Sequence, residues 1–358
     1  MKKVFVNGYG SIGSRIAKFI KDDPEIQLIG IGKHSPNSKM QDVVNSGLDV
    51  YVPEKRINDF KRDAPLISDA IKGSIESILG DCDLVIDASP EGKGFLNKKN
   101  IYEPKGVKVI FQGGETIFND NAVADILFNS RVNYAEAFDK KYVMQGSCNV
   151  TGMGRILNPL REKYAGKLDR FDVTLVRRWA DLEQTDKQII DTIEMTEQPH
   201  HGDDVKAYFG KDTPLFVRAI KVPTRQLHLH IMDIRFKNNA PTSDEINDLF
   251  KNEYGIATLW TAKGTKEVRD FAESTKFSFK DTNMLHIHAN MTVTAGNTVQ
   301  LFYSDDQTGI VIPENYMLLQ AMLFQREYTD AIKRTEQLFH MDEKKKLLEE
   351  HFAKNIRS

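Results

Sequence analysis

A cysteine at position 148 offers a candidate nucleophile. It lies in the segment Gln145–Met153 (QGSCNVTGM), just before a run with helical spacing over Arg155–Tyr164. At a helix N-terminus the helix dipole and the free amide groups stabilise a thiolate, so we expect the pKa of Cys148 to be lowered. Polar side chains that can bind the oxygen atoms of a substrate flank it: Ser147, Asn149 and Thr151. The segment therefore predicts a reactive thiol.

The nine histidines of the sequence fall largely in three pairs, which are His200-His201, His228-x-His230 and His286-x-His288. On a strand, both members of an H-x-H pair point to the same face. A metal site needs two further ligands, and no carboxylate or cysteine stands at a suggestive spacing, so no metal is predicted. Either His228 or His230 can instead serve as a base for the thiol.

Two adjacent arginines, Arg177 and Arg178, close a run of partly alternating residues over 168–178. A guanidinium group is planar and matches the geometry of a phosphate group. The pair therefore favours a phosphate-bearing substrate, and an exposed strand end is the alternative interpretation.

The glycines of Gly8-x-Gly10-x-x-Gly13 follow a short apolar strand and precede a helical stretch. Such glycines allow a sharp turn and a close approach to a pyrophosphate, which the helix N-terminus then binds. An acidic residue after the second strand would select NAD, but this sequence has Gly32-Lys33-His34-Ser35-Pro36-Asn37 there. Lys33, with Ser35 or Asn37, can hold a 2′-phosphate. NADP is therefore the favoured cofactor, with NAD possible.

The elements that would position these residues differ along the chain. Short apolar strands at 3–7, 26–31, 84–86 and 107–111 alternate with helical stretches and predict parallel βαβ units. We therefore expect a doubly wound α/β domain of the Rossmann type over 1–146. Longer, partly alternating runs at 168–178, 219–236 and 284–302 predict a mixed or antiparallel sheet in an α+β catalytic domain over 147–312. Helical runs follow at 314–331 and 342–357.

The composition excludes several classes of protein. The 358 residues carry 49 basic and 51 acidic side chains, a net charge of −2, so nucleic acid is not an expected partner. No apolar run is long enough to span a membrane, and the N-terminus lacks the apolar core of a signal peptide. Two cysteines, Cys82 and Cys148, cannot form a disulfide framework. We therefore expect a cytoplasmic protein, in which Cys82 is an inert packed thiol.

These motifs, in this order, resemble those of the archaeal-type glyceraldehyde-3-phosphate dehydrogenases, and the match runs over most of the chain. The segments that carry it are VNGYGSIGSRIA at 6–17, DASPEG at 87–92, FQGGE at 111–115, GSCNVTGMGR at 146–155, RRWAD at 177–181, PHHGDD at 199–204, VPTRQLHLH at 222–230 and QTGIVIPEN at 307–315.

The resemblance implies a role for each matching residue. Cofactor contacts are implied for the glycine loop and beyond it: Gly8, Gly10, Ser11, Ile12, Gly13, Lys33, Gly114, Arg177 and Gln307. Cys148 resembles the nucleophile and His228 the general base. Contacts to substrate are implied for Ser147, Asn149, Thr151, Arg178, His200 and His201, with either arginine near the phosphate.

The implied reaction is the phosphorylating oxidation of glyceraldehyde 3-phosphate through a thioester on Cys148. The resemblance also implies a homotetramer and C-terminal helices over 313–358 that return to the nucleotide domain. Departures occur at Val150, Gly154 and Arg225-Gln226. Three alternatives stay open: a related semialdehyde or acyl-phosphate dehydrogenase, a metal-dependent hydrolase built on the H-x-H pairs, and a non-catalytic NADP-binding redox sensor.

Overall fold

The computed structural model describes residues 1–36, 39–182, 184, 187 and 190–354, so Asn37 lies outside the described residues. The chain forms two compact units: Met1–Gln145 with Glu314–Arg334, and Gly146–Pro313 with Thr335–Ser358. Both units are thus discontinuous in sequence: Gly146–Pro313 of the second unit lies between the two segments of the first, and the rest of the second unit begins at Thr335. The prediction was that all of 313–358 returns to the nucleotide domain. The observed division differs from it, because residues from Thr335 onward group with the second unit.

The first unit is built on an eight-stranded parallel sheet. Its strands are β1 Lys2–Asn7, β2 Ile26–Gly32, β3 Val50–Val52, β4 Ile71–Ser74, β5 Leu84–Asp87, β6 Lys108–Phe111, β7 Ile126–Phe128 and β8 Tyr142–Gln145. They lie in the order β4-β3-β2-β1-β5-β6-β8-β7, which confirms the predicted doubly wound α/β class. The helices are α1 Ser11–Ile20, α2 Met40–Ser46, α3 Ile57–Asp63, α4 Ile75–Ile78, α5 Gly94–Asn97, α6 Glu103–Lys105 and α7 Ser130–Asn133.

The centre of this sheet explains why its strands are apolar at successive positions. Val4, Phe5 and Val6 of β1 are fully buried, and so are the neighbouring residues Val85 and Ile86 of β5. Strands that are buried on both faces read as continuous apolar runs, which is typical of parallel sheets. Their carboxyl ends form one edge, where the glycine loop follows β1.

The second unit contains a mixed sheet. Its elements are α8 Cys148–Lys163, β9 Leu168–Arg178, β10 Glu194–Thr196, α9 His201–Phe209, β11 Leu215–Val222, β12 His228–Phe236, α10 Ser243–Lys251, β13 Ile256–Leu259, α11 Thr265–Ser274, β14 Leu285–His288, β15 Val293–Ala295 and β16 Thr298–Asp305. The strand order is β10-β11-β9-β12-β16-β14-β13, with β15 paired to β16. Parallel and antiparallel pairs occur together, as predicted.

Three helices complete the chain: α12 Val311–Phe324, α13 Tyr328–Phe339 and α14 Met341–His351. Within the described ranges, none of the helices combines the length and the apolar composition that a bilayer crossing requires. The predicted helix over 314–331 is wrong in its extent, because α12 ends at Phe324 and Gln325 has a φ of +45°. The predicted run over 219–236 is likewise two strands, separated by a turn that begins at Pro223, which lacks a backbone N–H.

Polar contacts bind the stretch 314–334 to the rest of the first unit. Glu314 accepts hydrogen bonds from the backbone N–H and the hydroxyl of Ser130, both at 2.8 Å. The Tyr316 hydroxyl donates to Asp23, and Arg334 forms an ion pair with the same carboxylate at 3.1 Å. These buried and half-buried partners make the stretch an integral part of the unit.

The histidine pair on β14 is buried in the second unit. His286 Nδ1 and His288 Nε2 lie 3.2 and 3.0 Å from the Ser304 hydroxyl of β16, so both rings share one partner. Burial lowers the pKa of His286 to about 3 and that of His288 to about 4. Both rings are therefore neutral at physiological pH in the folded protein.

This pair makes stability dependent on pH. Because an unfolded histidine has a pKa near 6.5, the unfolded chain binds more protons than the folded one between about pH 6.5 and 4. The contribution of these neutral histidines to the free energy of unfolding is fully present above about pH 6.5. It decreases as the pH falls from about 6.5 to 4, by at most about 1.4 kcal/mol per pH unit for each histidine. We expect His288→Gln to flatten the decline of the urea midpoint from pH 7 to 5. His340→Gln is the control, since its side chain is 72% exposed; an equal flattening there would contradict the assignment.

Candidate active site

The thiol of Cys148 lies at the first residue of α8, with Ser147 as the N-cap residue. Cys148 is buried, at 7% exposure. Burial raises the pKa of its thiol, the charge of Asp305 raises it further, and the guanidinium groups of Arg178 and Arg177 lower it. The prediction of a lowered pKa is therefore wrong, because the loss of water outweighs the favourable position at the helix N-terminus.

Strand pairing places a carboxylate beside this thiol. His228 of β12 stands opposite Asp305 of β16 in the antiparallel register. One nitrogen of His228, a carboxylate oxygen of Asp305 and the sulfur of Cys148 all lie within 4.8 Å of one another. Asp305 was not predicted as a site residue, and its one signal in the sequence is its position two residues before Gln307, just outside the segment at 307–315.

The hydrogen bond to the ring of His228 fixes its tautomer. The backbone N–H of Arg178 donates to Nδ1 at 2.9 Å, so the neutral ring carries its proton on Nε2. Burial, followed by the charges of His230 and Arg178, lowers the pKa of His228, which keeps the ring neutral. In this form Nε2 donates a hydrogen bond and cannot accept a proton. The arrangement therefore differs from the general-base role that the resemblance implies, and it also disfavours ligation of a metal through Nε2.

Arg178 supports neighbouring loops through its guanidinium group. It donates to Gln307 Oε1 at 2.8 Å, to Asp181 Oδ1 at 2.8 Å, and to the carbonyl oxygens of Arg225 and Gln226 at 3.2 and 3.0 Å. Four hydrogen bonds to the protein leave little capacity for the substrate contact predicted for it. Arg225 and Gln226, two of the departures noted above, contact Arg178 through their backbone carbonyl oxygens. Any residue at these positions would supply the same acceptors.

Several buried polar atoms around Cys148 have no partner among the described residues. They are Ser147 Oγ, Asn149 Oδ1, Arg177 Nε and His201 Nδ1. Asn149 Nδ2 lies 3.2 Å from His201 Nε2, which ties two of these residues together. Burial and the charges of His200 and Arg177 lower the pKa of His201 to about 2, so its ring is neutral. Unsatisfied buried polar groups are unfavourable, and a polar ligand would satisfy them.

The remaining predicted substrate residues differ in exposure. His200 is exposed and stacks on His201, with ring centroids 4.2 Å apart. Thr151 is fully buried, and its hydroxyl donates to the carbonyl of Gly146 at 3.3 Å. The hydroxyl proton of Thr151 is therefore used in a hydrogen bond within the protein and not offered to a substrate.

The glycine loop of the first unit has the tight packing that its sequence predicts. Gly8 has a φ of +123°, and a Cβ there would lie 2.3 Å from the carbonyl oxygen of Ala88. A Cβ on Gly13 would lie 1.9 Å from the carbonyl oxygen of Gly8. At Gly10, the N-cap of α1, a Cβ would meet nothing within 4 Å. The backbone there faces open space, and the first-turn N–H groups of a helix, here those that follow Gly10, can bind a phosphate.

A cavity of about 190 Å³ adjoins this loop, lined by Gly8, Tyr9, Gly10, Lys33, His34, Ser35, Ala88 and Pro90. Lys33 is 3% exposed, and burial together with the charge of Lys39 lowers its pKa to about 8. The ammonium group therefore remains largely charged at neutral pH. A buried cation at this position can form charge-assisted hydrogen bonds to an anionic group.

A second, smaller cavity of about 40 Å³ lies at the ends of β5 and β6 and includes Gly114, which has a φ of +116°. Asp87 shapes its wall, because this carboxylate accepts hydrogen bonds from Asn97 at 3.0 Å and Tyr102 at 2.8 Å. Asp87 opens the segment DASPEG at 87–92, and no role was predicted for it. The fold thus brings Gly114, Lys33 and the glycine loop to one edge of the sheet, as the parallel topology predicts.

Known proteins resemble this chain over nearly its whole length, although no family model matches it. A protein named glyceraldehyde-3-phosphate dehydrogenase from Sulfolobus acidocaldarius is 34% identical over 340 residues, which cover 93% of this chain and 95% of that protein. Proteins of the same name from Metallosphaera sedula and Sulfurisphaera tokodaii are each 32% identical, over 90% and 93% of this chain and 93% and 95% of their own lengths.

Proposed function

The chain belongs to the glyceraldehyde-3-phosphate dehydrogenase family of oxidoreductases, and from that premise we propose how its residues divide the reaction. D-glyceraldehyde 3-phosphate is oxidised with NADP⁺ and inorganic phosphate to 1,3-bisphosphoglycerate, reversibly, through a thioester on Cys148. The observation that carries this proposal is the cluster of unpartnered buried polar atoms around that thiol. The names of the relatives do not favour the semialdehyde dehydrogenase or the redox sensor.

The thiol of Cys148 attacks the aldehyde carbon, its S–H bond breaks as the C–S bond forms, and the product is a hemithioacetal with its charge on oxygen; the thiol proton leaves to solvent and is the one proton that the oxidation releases. His228 Nε2–H donates a hydrogen bond to the oxygen on which negative charge develops, because Nδ1 already accepts from Arg178. The glycine loop at 8–13 would hold the oxidised nicotinamide cofactor, which would supply the hydride acceptor. Inorganic phosphate then attacks the thioester carbon and displaces the sulfur of Cys148.

The substrate phosphate requires cations and donors close to this carbon. Arg177 is the arginine that supports such a contact best, since its Nε has no partner in the described part of the chain while Arg178 is committed. Ser147, Asn149 and His201 supply further polar groups. We assign to Arg178 the role of holding Gln307 in place through the hydrogen bond to Oε1. The amide nitrogen of Gln307 then stays available for the predicted cofactor contact.

Turnover under controlled phosphate tests the function directly. Purified protein with glyceraldehyde 3-phosphate and NADP⁺ should reduce the cofactor continuously only when inorganic phosphate is present. Without phosphate, one equivalent of cofactor per subunit should be reduced as the thioester accumulates. Binding of NADP⁺ without any reduction would instead indicate the sensor, and turnover that ignores phosphate would contradict a phosphorylating enzyme.

The preference for NADP is proposed to rest on Lys33. A charge-assisted hydrogen bond to a phosphate contributes roughly 1.5–3 kcal/mol, equivalent to about a 10- to 100-fold change in affinity. We therefore expect Lys33→Ala to raise the KM for NADP⁺ by about that factor and to leave the KM for NAD⁺ within about twofold. Lys55→Ala is the control, because Lys55 is an exposed lysine of the same unit. An equal rise in the KM for both cofactors would contradict a contact between Lys33 and the 2′-phosphate.

We also propose a homotetramer that works in the cytoplasm. Met195 and Phe216, on neighbouring strands of the second sheet, are 86% and 54% exposed. Large exposed apolar side chains on one sheet favour burial against another subunit. Analytical ultracentrifugation of the wild type and of Phe216→Lys tests this, since a charge placed in a subunit interface should shift the population toward smaller species.

A further inference from the structure

The turn at 306–310 carries Gln307 and joins β16 to α12. Asp306, its first residue, is fully buried, and its Oδ1 accepts hydrogen bonds from the backbone N–H and the hydroxyl of Thr308, both at 3.3 Å. Gln307 Oε1 accepts a hydrogen bond from Arg178. The turn therefore has internal hydrogen bonds of its own, and its conformation sets the position of the Gln307 side chain.

A buried ion pair fixes the first residue of this turn. Arg269 of α11 is 3% exposed, and its Nη1 lies 2.8 Å from Asp306 Oδ2. Burial acts to raise the pKa of Asp306, but the charge of Arg269 outweighs burial and lowers it, so the carboxylate is ionised. The packing is close, because a Cβ on Gly309 would lie 2.9 Å from Asp306 Oδ2 and 3.1 Å from the Cβ of Asp281. The turn cannot shift on this side without disturbing these contacts.

Asn283 attaches the far end of the turn to helix α14. It is fully buried, its Nδ2 donates to the Gly309 carbonyl at 2.9 Å, and its Oδ1 accepts from Lys344 Nζ. Its backbone is left-handed, with a φ of +61°. Three further non-glycine residues shortly before it also have a positive φ: Lys276, Phe279 and Lys280. Such residues persist where surrounding contacts hold them, and the two side-chain hydrogen bonds of Asn283 are contacts of this kind.

Lys344 of α14 is an unusually buried lysine. It is 5% exposed, and its Nζ lies 5.3 Å from the ring centroid of Phe277. Burial lowers the pKa of Lys344 to about 8, while the charges of Asp281 and Asp306 act in the opposite direction. The ammonium group is therefore largely charged at neutral pH, and its hydrogen bond to Asn283 is of the stronger, charge-assisted kind. Lysine is rarely this buried unless it is paired, so the position indicates a specific role for this contact.

We propose that Lys344 is a positioning residue for the cofactor, because it holds the turn at 306–310 through Asn283. Asn283 connects the ammonium group to the Gly309 carbonyl, which lies two residues after Gln307. Lys344 itself touches neither cofactor nor substrate in this assignment. The proposal rests on the proposed function, in which the amide nitrogen of Gln307 contacts the cofactor. Loss of the ammonium group should therefore weaken cofactor binding and leave the chemical step unchanged.

Lys344→Met tests this assignment, since methionine keeps most of the apolar stem and cannot donate a hydrogen bond. We expect the Kd for NADP⁺, measured by fluorescence titration, to rise about 3- to 10-fold, the usual net contribution of one hydrogen bond. The burst of cofactor reduction in the absence of phosphate should keep its rate at saturating NADP⁺ within about twofold. Lys346→Met is the matched control, because Lys346 lies on the same helix and its side chain is 74% exposed. A Kd equal to that of the wild type in Lys344→Met would overturn the proposal.

Asn283→Gly is a second variant, which keeps the proposal testable if Lys344→Met does not fold. Glycine adopts the left-handed backbone without strain, so the substitution removes both side-chain hydrogen bonds and spares the backbone. It should weaken NADP⁺ binding by a similar factor. Because both variants break the same connection, their combination should bind NADP⁺ no more weakly than Asn283→Gly alone. Factors that multiply in the double variant would show that the two residues act separately, which would overturn the proposal.

Hydrogen exchange at the turn tests the connection without any cofactor. The Thr308 N–H, which donates to Asp306, should exchange faster in Lys344→Met and in Asn283→Gly than in the wild type, while the amides of β1 should not change. Unchanged exchange at Thr308, or an equal increase in β1, would overturn the proposal. A wild type that gives no phosphate-dependent turnover would reject the proposed function, whereas NADP⁺ affinity and exchange at the turn would still decide the role of Lys344.

Discussion

Cys148→Ser is expected to abolish the burst and to lower steady-state turnover by roughly 10⁴-fold or more, the scale of loss when a catalytic nucleophile is removed. A serine hydroxyl is not ionised at neutral pH, and an oxygen ester would conserve less free energy than a thioester for transfer to phosphate. Because the substitution is nearly isosteric in a buried position, folding should be preserved. Cofactor reduction, followed by absorbance with and without phosphate, is the measurement.

Cys82→Ser provides the control for this result. Cys82 is the only other cysteine of the sequence, it is half-buried, and its thiol donates to the Ile78 carbonyl at 3.4 Å. Burial raises its pKa to about 12, so it is not a competing nucleophile. We expect wild-type turnover from Cys82→Ser. Near-normal turnover from Cys148→Ser would refute the thioester mechanism as a whole.

Gly13→Ala is expected to weaken cofactor binding by about 10- to 100-fold, equivalent to about 1.4–2.7 kcal/mol. The added methyl group would lie 1.9 Å from the carbonyl oxygen of Gly8, and this contact is backbone, so the loop itself must shift. The shift displaces the N–H groups that would bind the pyrophosphate. Fluorescence titration with NADP⁺ measures the affinity, and the melting temperature should fall as well.

Two other glycines separate damage to the fold from damage to the site. Gly10→Ala adds a methyl group with nothing within 4 Å, so stability should be kept while a closely approaching cofactor is hindered. Gly80→Ala also meets nothing within 4 Å and lies outside the cavities at the sheet edge, so neither property should change. Normal affinity in both Gly10→Ala and Gly13→Ala would place the cofactor elsewhere.

Local sequence predicts the long or strongly patterned elements of this fold. The bounds of β9, Leu168–Arg178, coincide with the prediction because eleven residues give a clear pattern. Strands β3 and β7 escape prediction because three residues carry no measurable periodicity. The glycine loop is equally predictable, because the positions that have no room for a side chain are occupied by glycines at a recognisable spacing.

The parts of the site that sequence did not predict all depend on contacts between distant segments. Asp305 faces His228 through strand register, 77 positions apart along the chain, which no local motif encodes. The commitment of Arg178 to Gln307 has the same origin. The raised pKa of Cys148 follows from burial, a tertiary property, whereas its position at a helix N-terminus is local and was predicted.

The interrupted course of the first unit has a consequence for synthesis on the ribosome. Asp23 accepts a hydrogen bond from Tyr316 and pairs with Arg334, and Ser130 donates to Glu314. These three partners lie in a stretch that is translated only after Gly146–Pro313 of the second unit. The parallel sheet therefore emerges first but lacks these buried partners until the chain is almost complete. Closing contacts across about 300 residues is entropically costly and slow, and incomplete sheets are prone to aggregation. Expression at low temperature or with chaperones should accordingly favour the yield of native enzyme over that of inclusion bodies.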